Sequence, residues 1–259
     1  MEYEILNIPK GNGKFRKIYK ISHGEKKMLR QFIPALEKIL SDVDTNKANY
    51  AFEKNKNCAL NAMQHIGRKY TLSFDICDFF DSINRSHLDG IIPNEILDSC
   101  LIEESPKQGL PTSPLIATIA LIRCDSIIIS TLKKLDIDAT YTRYADDLTF
   151  SFDNKSAAGK IKTIIPQILH IFNLHINHKK TKLQTSSNGR VIINGIGVDN
   201  NGIHPTRKTK KKIRAATHQN NEKSLNGLIE WSKCKLPTKF FTTTDTPNYS
   251  SQPTAHGGG

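Results

Sequence analysis

The sequence predicts an α+β fold, and three observations predict it. Residues 70–76 alternate apolar and polar in the manner of a strand and end on the acids Asp75, Asp78 and Asp81. Residues 141–152 give two strand-like runs interrupted by Ala145-Asp146-Asp147, which reads as a β-hairpin with acids at its tip. Residues 114–134 are a long apolar helix candidate opening at Pro114, whose fixed φ and missing N–H suit a first turn.

The remaining elements follow in chain order. Residues 5–20 read as two short strands around Lys10-Gly11-Asn12-Gly13, studded with Lys14, Arg16, Lys17 and Lys20. Between residues 25 and 43, Leu29, Phe32, Ile33, Leu36, Ile39 and Leu40 recur at helical spacing. They predict one helix with a single buried face, kinked at Pro34. Residues 44–58 are polar and loop-like. A helix is expected at 157–172, and a hairpin over 191–203 with Asn201-Gly202 at its tight turn. The stretch 203–240 holds ten lysines and arginines against Glu222 and Glu230, which is +8 of the chain's +12. The last residues are rich in Thr, Ser, Pro and Gly, so a disordered tail is expected at 241–259.

With 259 residues, 37% of them hydrophobic, the chain has ample material for a buried core in one or two domains. Its 37 Lys and Arg against 25 Asp and Glu suit a polyanionic partner, because phosphates attract these cations and binding releases counterions. The cysteines Cys58, Cys77, Cys100, Cys124 and Cys234 are odd in number, far apart and without a CxxC pair. That argues against a disulfide framework and a structural zinc site. No signal-like N-terminal segment and no apolar run long enough to cross a bilayer is read, so a reducing cytoplasm is expected and a membrane partner is not.

The aspartates carry the chemistry. Hard cations such as Mg²⁺ take oxygen ligands, so carboxylates must converge on them from separate segments. Asp75 ends one strand and Asp146-Asp147 cap a hairpin 71 residues later; as neighbours in one sheet, these strands would bring the acids to one edge. Two divalent ions about 3.5–4 Å apart can activate an attacking hydroxyl and stabilise a leaving pyrophosphate. An isolated Asp-Asp pair is more often a pair of solvated turn residues, so its company decides.

That company is specific. Tyr144-Ala145-Asp146-Asp147 resembles the tyrosine-any-Asp-Asp box of reverse transcriptases, with strand-forming residues on either side. Phe74-Asp75-Ile76-Cys77-Asp78-Phe79-Phe80 looks like the family's first catalytic box. Gln108-Gly109-Leu110-Pro111-Thr112-Ser113-Pro114 looks like the box that packs against nucleotide and template, and Asn177-His178-Lys179-Lys180-Thr181-Lys182-Leu183 is similar to the later lysine box. Within the family the chain most resembles bacterial retron enzymes. Asn61-Ala62-Met63-Gln64-His65 matches their Asn-Ala-x-x-His signature, and Tyr50-Ala51-Phe52 also fits. Val191 to Val198 falls where they carry Val-Thr-Gly; Ile193 and Asn194 replace Val and Thr, and Gly195 is kept.

The resemblance implies a right-hand polymerase, with fingers and an antiparallel palm over 1–200 and a small basic thumb over 201–240. It implies that Asp75 and Asp146 bind two Mg²⁺ ions, for which Mn²⁺ can substitute, with Asp147 supporting them. Deoxynucleoside triphosphates would be joined on a structured non-coding RNA that serves as template and primer, giving an RNA–DNA product. Retron enzymes prime from a 2′-hydroxyl of that RNA and act in antiphage defence, often beside a separate effector protein. The alternatives are an abortive-infection-type reverse transcriptase making untemplated DNA, and an RNA-binding maturase or scaffold with secondary catalysis. By position, Phe80 would exclude the ribose 2′-hydroxyl, and Lys14, Arg16, Gln108, Gly109 and Lys180 would meet the nucleotide. Asn61 and His65, four apart, are expected to face RNA or brace the palm. Arg207, Lys208, Lys211, Lys212 and Arg214 are expected to lie along a phosphate backbone, and Trp231 to form a small core with Leu228 and Ile229.

Overall fold

The computed structural model describes residues 1–11 and 13–237; the tail expected at 241–259 lies outside them. The first elements are β1 (Tyr3–Gly11), β2 (Lys14–Ile21), α1 (His23–Arg30), α2 (Ile33–Val43), α3 (Cys58–Met63), β3 (Tyr70–Asp75), α4 (Phe79–Ser82) and α5 (Asn94–Cys100). Then come α6 (Ser113–Lys134), β4 (Thr140–Tyr144), β5 (Asp147–Phe152), α7 (Ala157–Ile171) and β6 (Lys182–Thr185). The chain continues through β7 (Val191–Ile193), β8 (Ile196–Val198), β9 (Ile203–Pro205), α8 (Arg207–His218) and α9 (Glu222–Ser232).

The centre is an antiparallel sheet of order β4-β5-β3-β6. Period-two alternation gives it two unlike faces. On one, Tyr141 stacks on Phe150 at 4.7 Å between centroids, Phe74 meets Phe150 edge-on, and all three rings are buried. This face is turned to α6. There the Tyr141 hydroxyl donates to Asp125 Oδ1 (2.7 Å), and Arg143 donates from Nε (3.0 Å) and from its η2 nitrogen (2.8 Å) to Asp125 Oδ2. On the other face Thr142 and Ser151 are bridged by His65, which follows α3: Nε2 lies 2.7 Å from Thr142 Oγ1 and Nδ1 2.7 Å from Ser151 Oγ. The outer edge of β4 is closed by the preceding loop, since Arg143 N–H donates to the Ala48 carbonyl and Tyr50 N–H to that of Arg143.

Several expectations need correction. The helix predicted over 25–43 is two helices, because Pro34 lacks an N–H and its ring clashes with the carbonyl four residues back; α1 ends at Arg30 and Pro34 opens α2. The hairpin over 191–203 is a three-stranded meander, β7-β8-β9. Its tight turn is Asn194-Gly195, at φ +46° and +81°, while Asn201-Gly202 lies in a longer loop tied to the Asp199 carboxylate. Helix α6 is long and apolar enough to cross a bilayer, its most apolar 18 residues having a mean hydropathy of 1.9, contrary to the reading of no such run. Arg123 and Asp125 interrupt the run without offsetting its average. Of those 18 residues 67% are buried within the fold, and α6 serves as the core helix under the sheet.

The C-terminal side differs from the central sheet in how much it buries. Val191, Ile193, Ile196 and Val198 of the meander pack on Ala59 and Ala62 of α3, forming a second, smaller core. Among the described residues no core forms around Trp231: α9 buries none of its residues, and Trp231 and Ile229 are 44% and 38% exposed. The partner helix α8 buries only the small side chains Thr209 and Ala216.

The Arg143–Asp125 pair is fully buried, so losing one partner strands the other charge. Asp125→Ala is expected to cost about 3–5 kcal/mol in denaturant unfolding, and Asp125→Leu combined with Arg143→Met much less. Burial holds the His65 imidazole neutral, with its pKa pushed down to about 3. The unfolded chain takes up this proton near pH 6.5, so between those values it binds more protons than the folded chain, and stability is lost as the pH is lowered. His65→Gln, which keeps polar contacts but does not titrate, is expected to flatten the fall in Tm between pH 7 and pH 5.

Candidate active site

The sheet register brings the acids together. Asp75, the last residue of β3, lies directly opposite Asp147, the first residue of β5. Asp147 also closes the β4–β5 hairpin against Tyr144, leaving Ala145 and Asp146 as its two-residue tip. Ala145 sits at φ +56°, a left-handed conformation that costs a residue with a Cβ about 1–2 kcal/mol. The Asp146 carbonyl accepts from Ile76 N–H at 3.0 Å, which fastens the strained tip to the end of β3.

Crowding is visible in the proton affinities. Burial, then the Asp146 and Asp75 charges, push the Asp147 carboxyl up to about 6. Burial and the Asp75 charge also raise Asp146, against an opposing effect of Arg16 and Lys180. Lys180 Nζ stands 2.6 Å from Asp75 Oδ1 while its side chain stays 60% exposed. The Asp75 carboxylate holds the ammonium above the usual lysine range by this hydrogen bond. Backbone pairing explains why Lys180 is there: Asn177 N–H donates to the Asp75 carbonyl, and Lys180 N–H to that of Asn177, closing a turn against the strand end.

Among the described residues no three ligating groups are already arranged around one point as a metal site. The donor set nevertheless fits a hard divalent cation. It is all carboxylate oxygen, two of its members favour added positive charge, and a lysine ammonium supplies some of that charge now.

The other expected residues divide. Arg16 is exposed on β2, and its charge reaches Asp146; Lys14 opens β2, with its side chain outside the described part. Phe80 is half-buried on α4, edge-on to Phe79 at 5.1 Å. Gly109, at φ +116°, makes its close approach to the β1–β2 hairpin: an added Cβ would stand 2.4 Å from the Tyr19 carbonyl oxygen. Tyr19 N–H also donates to the Gln108 carbonyl at 2.8 Å, so this loop holds the hairpin's base. Arg207, Lys208, Lys211, Lys212 and Arg214 are all exposed on α8, which Thr206 caps by accepting from Thr209 N–H.

Of the two roles expected for Asn61 and His65, facing RNA and bracing the palm, their burial is against the first and their contacts favour the second. Both are buried, His65 spends both ring nitrogens on sheet hydroxyls, and the Asn61 amide points at Asn194. Sequence reasoning missed Asn194, whose Nδ2 donates to Asp147 Oδ2 at 2.9 Å. The available signal was Asn-Gly between alternating apolar residues, which marks a hairpin tip. It also missed Lys107, which is buried, bonded to Asp81 (2.9 Å) and Glu103 (3.3 Å), and set over the Tyr19 ring. Nothing in its local sequence announces that role.

Residues 8–219 match the family model described as reverse transcriptase (RNA-dependent DNA polymerase). The chain is 29% identical to the retron Ec73 reverse transcriptase of Escherichia coli over 91% of its own length and 86% of that protein. It is 24% identical to the retron Mx65 reverse transcriptase of Myxococcus xanthus, covering 91% of this chain and 62% of that one. Its fold is that of telomerase from Candida albicans, with a TM-score of 0.61 at 13% identity over 79% of this chain and 46% of that one. A foamy viral protease-reverse transcriptase superposes with a TM-score of 0.56 at 20% identity, over 89% of this chain and 36% of that one. The chain thus spans less than two thirds of several proteins it matches. Retron reverse transcriptases are among the relatives it matches along most of its length, and the chain belongs to the reverse transcriptase family of RNA-dependent DNA polymerases.

Proposed function

We propose that this chain is a retron-type reverse transcriptase that copies a structured non-coding RNA into single-stranded DNA, primed from a 2′-hydroxyl of that RNA and used in antiphage defence. The observation that carries the polymerase reading is the register that sets Asp75 opposite Asp147, with Asp146 at the hairpin tip and Lys180 on Asp75. Residues 1–200 act as fingers and palm and residues 201–240 as thumb. The retron reading rests on the relatives and on the Asn61 to His65 signature.

In this reading Asp75, Asp146 and Asp147 hold divalent ions, two Mg²⁺ or Mn²⁺ in their place. Held there, such ions would supply Lewis-acid charge for the primer hydroxyl and the leaving pyrophosphate. Lys180 offers an ammonium beside the carboxylates for the triphosphate, and Arg16 offers a second cation from the hairpin. Phe80 walls the sugar side. The exposed cations of α8 follow the template–primer backbone.

Asp146→Asn with Asp147→Asn is expected to abolish DNA synthesis while leaving Tm and RNA binding within error of the unchanged chain; retained synthesis would remove the site assignment. Phe80→Ala is expected to admit ribonucleotides, read as the ratio of kcat/KM for deoxy- and ribonucleoside triphosphates. Sequencing nucleic acid that copurifies from the native locus tests the retron reading. DNA joined to a small RNA through a nuclease-resistant branch supports it, whereas unbranched untemplated DNA indicates the abortive-infection reading and RNA alone a scaffold.

A further inference from the structure

We infer that Asn194, held in orientation by Asn61, is a positioning residue for the Asp147 carboxylate and sets how well that acid serves the metal site. This rests on the reading of Asp147 as a metal-site acid. It joins two motifs that the catalytic reading does not use, the Asn-Ala-x-x-His run and the Ile193-Asn194-Gly195 turn.

The geometry is a three-member chain. Asn61 Nδ2 donates to Asn194 Oδ1 at 2.5 Å, and Asn194 Nδ2 donates to Asp147 Oδ2 at 2.9 Å. Only one arrangement of the two amides is consistent with an ionised carboxylate. The carboxylate can only accept, so Asn194 must turn its amide nitrogen to Asp147 and its oxygen to Asn61. Asn61 must then donate, which leaves its own Oδ1 buried and without a partner. An orphaned buried acceptor is unfavourable, and here it is the consequence of orienting the acid. Among the described hydrogen bonds Asp147 Oδ1 receives none, so the chain secures one carboxylate oxygen and leaves the other available for a ligand.

The backbone at Asn194 is equally committed. Asn194 and Gly195 both have positive φ, the form that joins two strands through two residues. The turn rests on α3 through the small core of Ala59, Ala62, Ile193 and Ile196, and a Cβ at Gly195 would lie 3.6 Å from the Trp231 ring of α9. Asn194 therefore reaches Asp147 from a fixed support and not from a free loop.

The test uses the full chain with Asn194→Ala, Asn61→Ala, their double variant and Asp147→Asn. Mn²⁺ binding is followed by electron paramagnetic resonance and by calorimetry, and DNA synthesis is titrated with Mg²⁺. Asn194→Ala is expected to raise the half-saturating Mg²⁺ concentration and weaken Mn²⁺ binding several-fold. It should lower kcat about tenfold, leave the deoxynucleotide KM within twofold, and keep Tm within a few degrees. Asn61→Ala should give the same pattern, and the double variant should be no worse than either single one, because both act through one contact. Unchanged metal binding and metal dependence in Asn194→Ala, or fully additive losses, would overturn the inference. Asp147→Asn separates the two levels. If it too leaves Mn²⁺ binding unchanged, the metal-site reading fails; if it alone weakens binding, only the role of Asn194 does.

Discussion

The antiparallel register between β3 and β5 is the constraint on which the site depends. It places Asp75 across from Asp147 at the end of both strands, and the two-residue tip adds Asp146 beside them. Three carboxylates so close repel one another, and Asp147 is pushed up to about 6 by burial and its neighbours. Nothing in the acids themselves favours this arrangement. It persists because six residue pairs between β3 and β5 fix the strand ends.

Much of the surrounding structure supports that register. The apolar face of the sheet is pinned to α6 by the Tyr141 hydroxyl on Asp125 and by the buried Arg143–Asp125 pair, one residue before the Tyr144-to-Asp147 hairpin end. The hydroxyl face is held by His65 between β4 and β5, and the outer edge of β4 is closed by the loop at Ala48 and Tyr50. The strain at Ala145 lies next to the acids, and the orphaned oxygen belongs to Asn61, the partner of the Asn194 side chain that meets Asp147. Local costs of this kind persist where the rest of a fold over-determines the geometry.

The cationic groups are arranged differently from the acids. The acids are partly or largely buried at a rigid sheet edge, whereas Arg16, Lys180 and the α8 cations are exposed on a hairpin, a turn and a helix. This division suits a long polyanion, which is met by solvated charges over a wide surface while the reacting atoms meet the fixed carboxylates. The base of the hairpin is nonetheless anchored. Tyr19 is bonded to the Gln108 carbonyl, approached closely by Gly109 and covered by Lys107.

What the sequence by itself determined was local or motif-borne. Alternation marked β3 and the β4–β5 hairpin, a long apolar run opening at Pro114 marked α6, and four boxes in order marked the family and its three acids. Proline's effect on the helix at Pro34 and the Asn194-Gly195 turn were also written locally, and were misread. The tertiary structure alone decided which face each polar residue meets. His65 and Asn61 look like surface groups in a helical stretch, yet they are buried because α3 packs on the hydroxyl face of the sheet and on the β7–β8 turn. Asn194 lies 47 residues from Asp147, and Lys180 lies 105 from Asp75, in chain order. Such pairs form where distant segments meet against one sheet edge, and no local spacing encodes them.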